Sequence, residues 1–396
     1  MPLKFILKSA VLACFVLLNP TLKAQDYQKL HQNAILVDTH NDVLIATMQG
    51  RDIATDLTGK THSDLARFKK GGVDAQIFSV WCDETYGPGK AYQYANTEID
   101  SLYAIIARNP SKITLTRAPA ELEQAVKQKK LAALIGVEGG HMIEDKLTNL
   151  ETLYNRGARY LTLTWNNSTS WATSAKDEIE GNLPESKKGL TDFGKQVVRR
   201  MNQLGMLVDV SHTGEKTFWD VINTTSKPIL VSHSCVYNIT PHFRNLKDDQ
   251  IKAVAKNNGV IHLNFYSGFL DKGFLEREKQ FFTRHKTEID SLKNLNWPLF
   301  DMQSFLVKKY GSEVQGLRPP LSALLDHLDY IVKLVGVDYV GLGSDFDGIT
   351  SAPQQLDDVT SFSLITKELL ARGYSKKDLD KILGGNFIRV FRANAG

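Results

Sequence analysis

Eight short stretches along the chain are apolar at nearly every position, and turns or longer segments of helical spacing separate them. They read "AILVDTH" (34–40), "VDAQIFSVW" (73–81), "LAALIGVEGG" (131–140), "ARYLTLTWN" (158–166), "MLVDVSH" (206–212), "PILVSHS" (228–234), "GVIHLNFY" (259–266) and "YVGLGSDFDG" (339–348). A strand with one face in water alternates apolar and polar residues, whereas these runs do not, so they predict parallel strands covered on both sides. Amphipathic segments such as "DFGKQVVRRMNQLG" and "LDHLDYIVKLVG" supply the cover. Eight strand–helix units in one chain predict an α/β fold, the (β/α)₈ TIM barrel. Two connections exceed what a barrel needs: residues 167–190 read as a polar loop, and residues 267–319 as a helical insertion after the seventh strand.

Most of these runs finish in groups able to bind metal. His40 and Asp42 end the first, Glu138 the third, His212 the fifth, His233 the sixth and Asp345 the eighth. Parallel barrel strands direct their C-terminal ends to one rim, where active sites of this fold lie, so residues distant in sequence are expected to converge there. An isolated H-x-D, "VEGG" or "VSH" is weak and more often marks a strand end or a satisfied core histidine. Collected in one space, three imidazoles and several carboxylates need a partner, because buried unpaired charge is costly. Nitrogen and oxygen donors without thiolate fit zinc first, with manganese, iron or cobalt as alternatives. Five ligands exceed the three protein ligands that one catalytic zinc takes. The expectation is therefore two zinc ions bridged by Glu138, with His40 and Asp42 on one and His212 and His233 on the other.

Two metals at a barrel mouth turn water into a nucleophile at neutral pH. Asp345 is then expected to carry the proton of that water to a leaving amine, with Asp347 bracing the same loop. Arg244, in "PHFRNLKDD", is expected to hold a substrate carboxylate bidentately. His31, His62, His285 and His327 read as surface or packing residues, and His141, His242 and His262 lie nearer the rim without an assigned role.

Composition narrows the class. The 396 residues are 42% hydrophobic and 23% charged, enough apolar material for a large core. The opening "MPLKFILKSAVLACFVLLNPTLKAQ" sets Lys4 and Lys8 ahead of an apolar run from Ala10 to Leu18, then Pro20 and Ala24, the layout of an export signal over residues 1–24. The run is too short to span a bilayer. Its removal leaves one domain over residues 25–396 and a periplasmic or secreted protein. Cleavage takes Lys4, Lys8 and Lys23 and no acid, leaving 45 basic against 44 acidic side chains. That balance speaks against a nucleic-acid or membrane-surface partner. Cys82 and Cys235, which remain, are too few for a disulfide framework.

The stretches "VDTHNDVL", "IGVEGGHMI", "RYLTLTWNNS", "GLTDFGKQVVRRMNQLGMLVDVSH", "VSHS", "FRNLKDDQI", "VGLGSDFDGI" and "GGNFIRVF" run from residue 37 towards the C-terminus. Together they resemble the membrane (renal) dipeptidase family of the amidohydrolase superfamily. The resemblance implies a (β/α)₈ barrel whose two-zinc site hydrolyses dipeptides, often with a D-residue at the carboxyl end, in a protein that pairs into homodimers. It assigns metal ligation to His40, Asp42, Glu138, His212 and His233, proton transfer and amine binding to Asp345, carboxylate binding to Arg244, and a place near the substrate to Tyr266. Two features depart from it. Trp165 in "LTWNN" stands where the animal enzymes have a histidine that contacts the scissile carbonyl, and indole donates one hydrogen bond but takes no positive charge. The end, "FRANAG", has no hydrophobic tail, so a lipid anchor is not expected. Cys82 also finds no cysteine in "LTWNN" to pair with. The sequence thus points to an exported zinc-dependent dipeptidase, with a hydrolase of another small amide on the same two-metal barrel as the alternative.

Overall fold

Each of the eight apolar runs contains a strand in the computed structural model, which describes residues 20–181, 183–295, 297, 302, 305–306 and 308–395. The strands are β1 (Val37–Asn41), β2 (Ala75–Val80), β3 (Ile113–Leu115), β4 (Leu131–Glu138), β5 (Ala158–Thr162), β6 (Leu207–Asp209), β7 (Leu230–Val231), β8 (Val260–Leu263) and β9 (Val340–Leu342). Leaving out β3, they follow one another in the order β1, β2, β4, β5, β6, β7, β8, β9, all parallel, and Asp38 pairs with Leu342 to close the ring. Every residue of these eight strands is buried, which explains the absence of alternation in the sequence.

The ninth strand was not legible. β3 lies along Leu131–Ala133 of β4, on the edge that β5 takes over from Ile135 onward, and only Ile113 of its three residues is buried. The barrel strands are also shorter than the apolar runs. β6, β7 and β9 stop at Asp209, Val231 and Leu342, and beyond them His212, Asp345 and Asp347 take φ values of 64°, 59° and 69°. A ladder cannot include left-handed residues, so the chemistry-bearing tips are turns at the rim.

One mouth of the barrel is sealed. The first residues of β1, β2, β6, β7 and β8 (Val37, Ala75, Leu207, Leu230 and Val260) share one apolar cluster with Phe387, Val390 and Phe391 of the helix Asn386–Ala395. Residues from strands all round the ring meet one helix only at the N-terminal mouth, so "GGNFIRVF" is its plug. Burying each phenylalanine there stabilises the fold by roughly 1.5–3 kcal/mol. The opposite end stays open for the site.

The described residues of the 267–319 segment include the helices Ser267–Leu270, Phe274–Arg284, Lys286–Asn294 and Gly311–Leu317, in keeping with the expected helical insertion. It has a small core of its own in Phe281, Ile289, Leu292, Met302 and Leu306. Residues 167–190 depart from the polar-loop reading: they contain the helix Ala175–Glu180, bridges from Ala172 to Leu190 and from Ser174 to Thr213, and a buried Trp171. Their polar groups are satisfied locally. The Ser174 hydroxyl donates to the Asn166 carbonyl at 2.7 Å, and the Ser168 N–H donates to Asp177 at 2.7 Å.

Residues 1–19 of the expected export signal lie outside the described residues, and the helix Pro20–Asn33 contains the expected cleavage point after Ala24. Among the described residues no helix is long and apolar enough to cross a membrane.

Candidate active site and metal centre

The rim brings His40, Asp42, Glu138, His212 and His233 into one buried cluster. His40 comes from within β1, and Asp42 lies just past its end. Glu138 is the last residue of β4, and His212 and His233 sit on the turns after β6 and β7. Glu138 stands between two groups of donors. Its Oε2 is 3.4 Å from His40 Nε2, which is itself 3.4 Å from Asp42 Oδ2. Its Oε1 is 2.9 Å from His212 Nε2 and 3.4 Å from His233 Nε2, and those two nitrogens are 3.0 Å apart. Donors sharing one cation at about 2.0–2.2 Å stand about 3–3.5 Å from one another, the spacing found in both groups. His40 Nε2 is fully buried with no hydrogen-bond partner, an orphaned donor atom facing two carboxylates. The residues therefore fit divalent metal.

Each imidazole is fixed through its other nitrogen. His40 Nδ1 meets the Tyr160 hydroxyl at 2.8 Å, His212 Nδ1 meets Asn166 Oδ1 at 3.0 Å, and His233 Nδ1 meets the Ser232 hydroxyl at 2.8 Å. Such partners set the tautomer that leaves Nε2 free as a ligand. Ser232 in turn donates to Asp209 Oδ2 at 2.6 Å, which also accepts from Thr162 at 2.6 Å. Tyr160 rises through the lumen past Gly136, where any Cβ would fall 2.0 Å from its ring. Asp38, the first acid of "VDTHND", ties β1 to the neighbouring β9 where the ring closes, accepting from the Ser344 N–H and hydroxyl at 2.8 and 2.6 Å.

Protonation suits ligation at His212, His233 and Glu138. Burial, helped by the Arg244 charge, lowers His212 to about 4, and burial with His40 nearby holds His233 well below the ordinary histidine value. Burial would raise Glu138, but His40 and hydrogen bonds from His212 and His233 hold it well below the usual carboxylate range. His40 goes the other way: burial disfavours its charge, yet Tyr160, Glu138 and Asp42 outweigh that and raise it. Asp345 is raised well above the usual range by burial and by the charges of Asp42 and Glu138, against the opposing effect of His40.

A cavity of about 350 Å³ opens over the cluster. Asp345 lies at its edge, Oδ1 4.0 Å from His40 Nε2 and Oδ2 accepting from Asn264 at 2.8 Å. Arg244 lies in the wall and is buried, donating from Nη1 to the Ser234 hydroxyl and from Nη2 to the His233 carbonyl, both at 3.1 Å. Among the described residues it has no carboxylate partner, and its Nε has no hydrogen bond. A second cavity of about 390 Å³ shares His212, Phe243 and Arg244 with the first. Trp165 lines the first cavity, its ring 5.0 Å from that of Trp81. Tyr266 lines it as well, its phenol pushed up to about 12 by burial.

Sequence reasoning passed over Trp81, Tyr160, Asn166, Asp209 and Asn264. Trp81 ends the second apolar run and could have been found by the same rim argument, but indole binds no metal. Tyr160 and Asp209 read as ordinary strand residues.

The profile of the membrane dipeptidase family (peptidase family M19) matches residues 24–395. An uncharacterised dipeptidase of Schizosaccharomyces pombe (strain 972) is 30% identical over 392 residues, covering 94% of this chain and 83% of its own length. The crystal structure of the probable dipeptidase PvdM from Pseudomonas aeruginosa superposes with a TM-score of 0.79 at 25% identity, covering 95% of this chain and 99% of that one. That of a metallo peptidase from Rhodobacter sphaeroides, liganded with a phosphinate mimic of the dipeptide L-Ala-D-Ala, shares the fold, with a TM-score of 0.75 at 23% identity over 91% of this chain and 100% of that one. A family match along almost the whole chain, over a barrel whose open rim gathers metal-binding side chains, means that this protein belongs to the membrane dipeptidase family and is a metal-dependent peptidase.

Proposed function

We propose that the chain is an exported dipeptidase that works with two zinc ions, residues 1–24 being removed and residues 25–396 forming the catalytic unit. His40 and Asp42 would hold one ion, His212 and His233 the other, and Glu138 both. The observation that carries this reading is the division of Glu138, one oxygen turned to His40 and the other to His212 and His233. A divalent pair held there supplies Lewis acidity and a nucleophile at neutral pH.

The chain's own groups do the rest. Arg244 takes the substrate's free carboxylate, answering a buried cation that has no ion-paired carboxylate among the described residues. Asp345, at the cavity's edge beside the cluster, binds the free amino end as a carboxylate and receives the proton that the attacking water gives up. As the carbon–nitrogen bond breaks, it returns that proton to the leaving nitrogen. Tyr266, protonated at neutral pH, donates to the bound substrate, and Trp165 with Trp81 forms an apolar wall. With the carboxylate fixed on Arg244, inverting the last α-carbon redirects its side chain, and the two cavities that Arg244 lines offer space for either hand. This supports tolerance of a C-terminal D-residue. The match beginning at residue 24 agrees with a leader ending there.

Trp165 favours one second reading, hydrolysis of another small amide on the same site, because the indole offers no positive charge to a developing oxyanion. A panel of L-L, L-D and N-acylated dipeptides separates the two. Cleavage of both free dipeptides is expected; turnover of the blocked compounds alone would overturn the dipeptidase reading.

A further inference from the structure

Asp345 belongs to a loop with an unusual mounting. On its N-terminal side the loop is bound to β1: the Ser344 N–H donates to Asp38 at 2.8 Å, the Asp345 N–H to the His40 carbonyl at 3.0 Å, and the Asp42 N–H to the Phe346 carbonyl at 2.9 Å. These anchors stop at Phe346. Asp345 and Asp347 both sit in the left-handed region, which non-glycine residues occupy only when their surroundings hold them there. Gly348, next in the chain, presses so close that a Cβ would lie 2.2 Å from Asp42 Oδ2 and 2.6 Å from Asp345 Oδ1. A small movement at residues 347–348 therefore reaches both carboxylates.

The hold on that end comes from the other side of the sequence. The His62 N–H donates to Asp347 Oδ1 at 2.6 Å, and the Asp347 N–H donates to His62 Nδ1 at 2.9 Å, a reciprocal pair across 285 residues. The imidazole also packs on Phe346, ring centroids 5.1 Å apart. His62 is itself rigidly seated: Arg67 Nη1 donates to the Thr61 carbonyl at 2.8 Å and Arg67 Nε to Asp64 at 2.6 Å, while the Val359 N–H donates to the His62 carbonyl at 3.2 Å.

We infer that His62, through Asp347, is a positioning residue for Asp345: its Nδ1 accepts the Asp347 N–H and so fixes the angle at which the Asp345 carboxylate meets substrate. The inference rests on the role proposed for Asp345. Displacing a catalytic group by about 1 Å costs on the order of a hundredfold in rate.

The test compares His62→Phe, which keeps the ring but loses the acceptor, with His62→Asn, whose amide oxygen lies where Nδ1 does. Kinetics on a cleaved dipeptide are read beside hydrogen–deuterium exchange of the peptide holding Asp347 and beside metal content. In His62→Phe, at metal content matched to wild type, kcat is expected to fall ten- to a hundredfold and by more than KM changes, while the Asp347 amide loses protection; His62→Asn restores most of both. Unchanged kcat or unchanged protection in His62→Phe overturns the inference, as does a loss that His62→Asn does not repair. If the wild-type enzyme cleaves no dipeptide, the proposed function fails separately and exchange alone decides the clasp, retained protection in His62→Phe counting against it.

Discussion

Arg244→Met isolates the recognition of the substrate carboxylate. The guanidinium is buried, burial lowers its pKa only to about 10, and two of its five donor hydrogens go to Ser234 and the His233 carbonyl. It is thus a cation at neutral pH with donors to spare and, among the described residues, no acid paired to it. A hydrogen bond to a charged partner contributes roughly 1.5–3 kcal/mol. Two such bonds to a carboxylate give about 3–6 kcal/mol, which at about 1.4 kcal/mol per decade is a factor of about 10² to 10⁴ in kcat/KM. The assay measures kcat/KM for a dipeptide and for the same dipeptide with its C-terminus amidated, in wild type and in Arg244→Met, at matched metal content because His233 is a neighbour. Wild type should prefer the free carboxylate by that factor, and the variant should lose the preference, chiefly through KM. A variant that still discriminates acid from amide as wild type does would refute the role of Arg244, whatever its absolute rate.

Asp345→Asn should keep its metal but lose most turnover, and full activity would remove Asp345 from the mechanism. Tyr160→Phe removes the hydroxyl on His40 Nδ1 and should weaken metal binding about 10- to 100-fold, read by competition with a chelating dye; unaltered affinity would make Tyr160 a packing residue only. Burial lowers His327 to about 4 in the fold, against about 6.5 unfolded, so the stability it contributes is whole above pH 6.5 and is lost as pH falls towards 4. At pH 5 that loss is about 2 kcal/mol. Urea unfolding at pH 7 and pH 5 should give His327→Gln a smaller pH dependence by about that amount; equal slopes would contradict it.

The barrel could be read in the sequence because its strands are buried on both faces and so announce themselves as unbroken apolar runs. β3 could not, being three residues of which two are partly exposed. The cluster was legible because imidazoles and carboxylates are out of place at the ends of apolar strands, and one rim brings them together. Its supports were hidden. Tyr160 and Asp209 occupy strand positions like any core residue, and what makes them special is a partner elsewhere on the ring. His62 read as a surface or packing histidine because nothing near it in sequence hints at Asp347. The 167–190 segment misled through its polar surface, while Trp171 beneath it is buried.

The account depends on the two halves of Glu138 each helping to hold a cation. Chelated enzyme titrated with zinc, with bound metal and dipeptide hydrolysis followed together, tests this most directly. Activity should return in step with two equivalents per chain, and Glu138→Gln should bind fewer and stay inactive. Full hydrolysis by the metal-free chain, or by Glu138→Gln with no change in bound zinc, would contradict it.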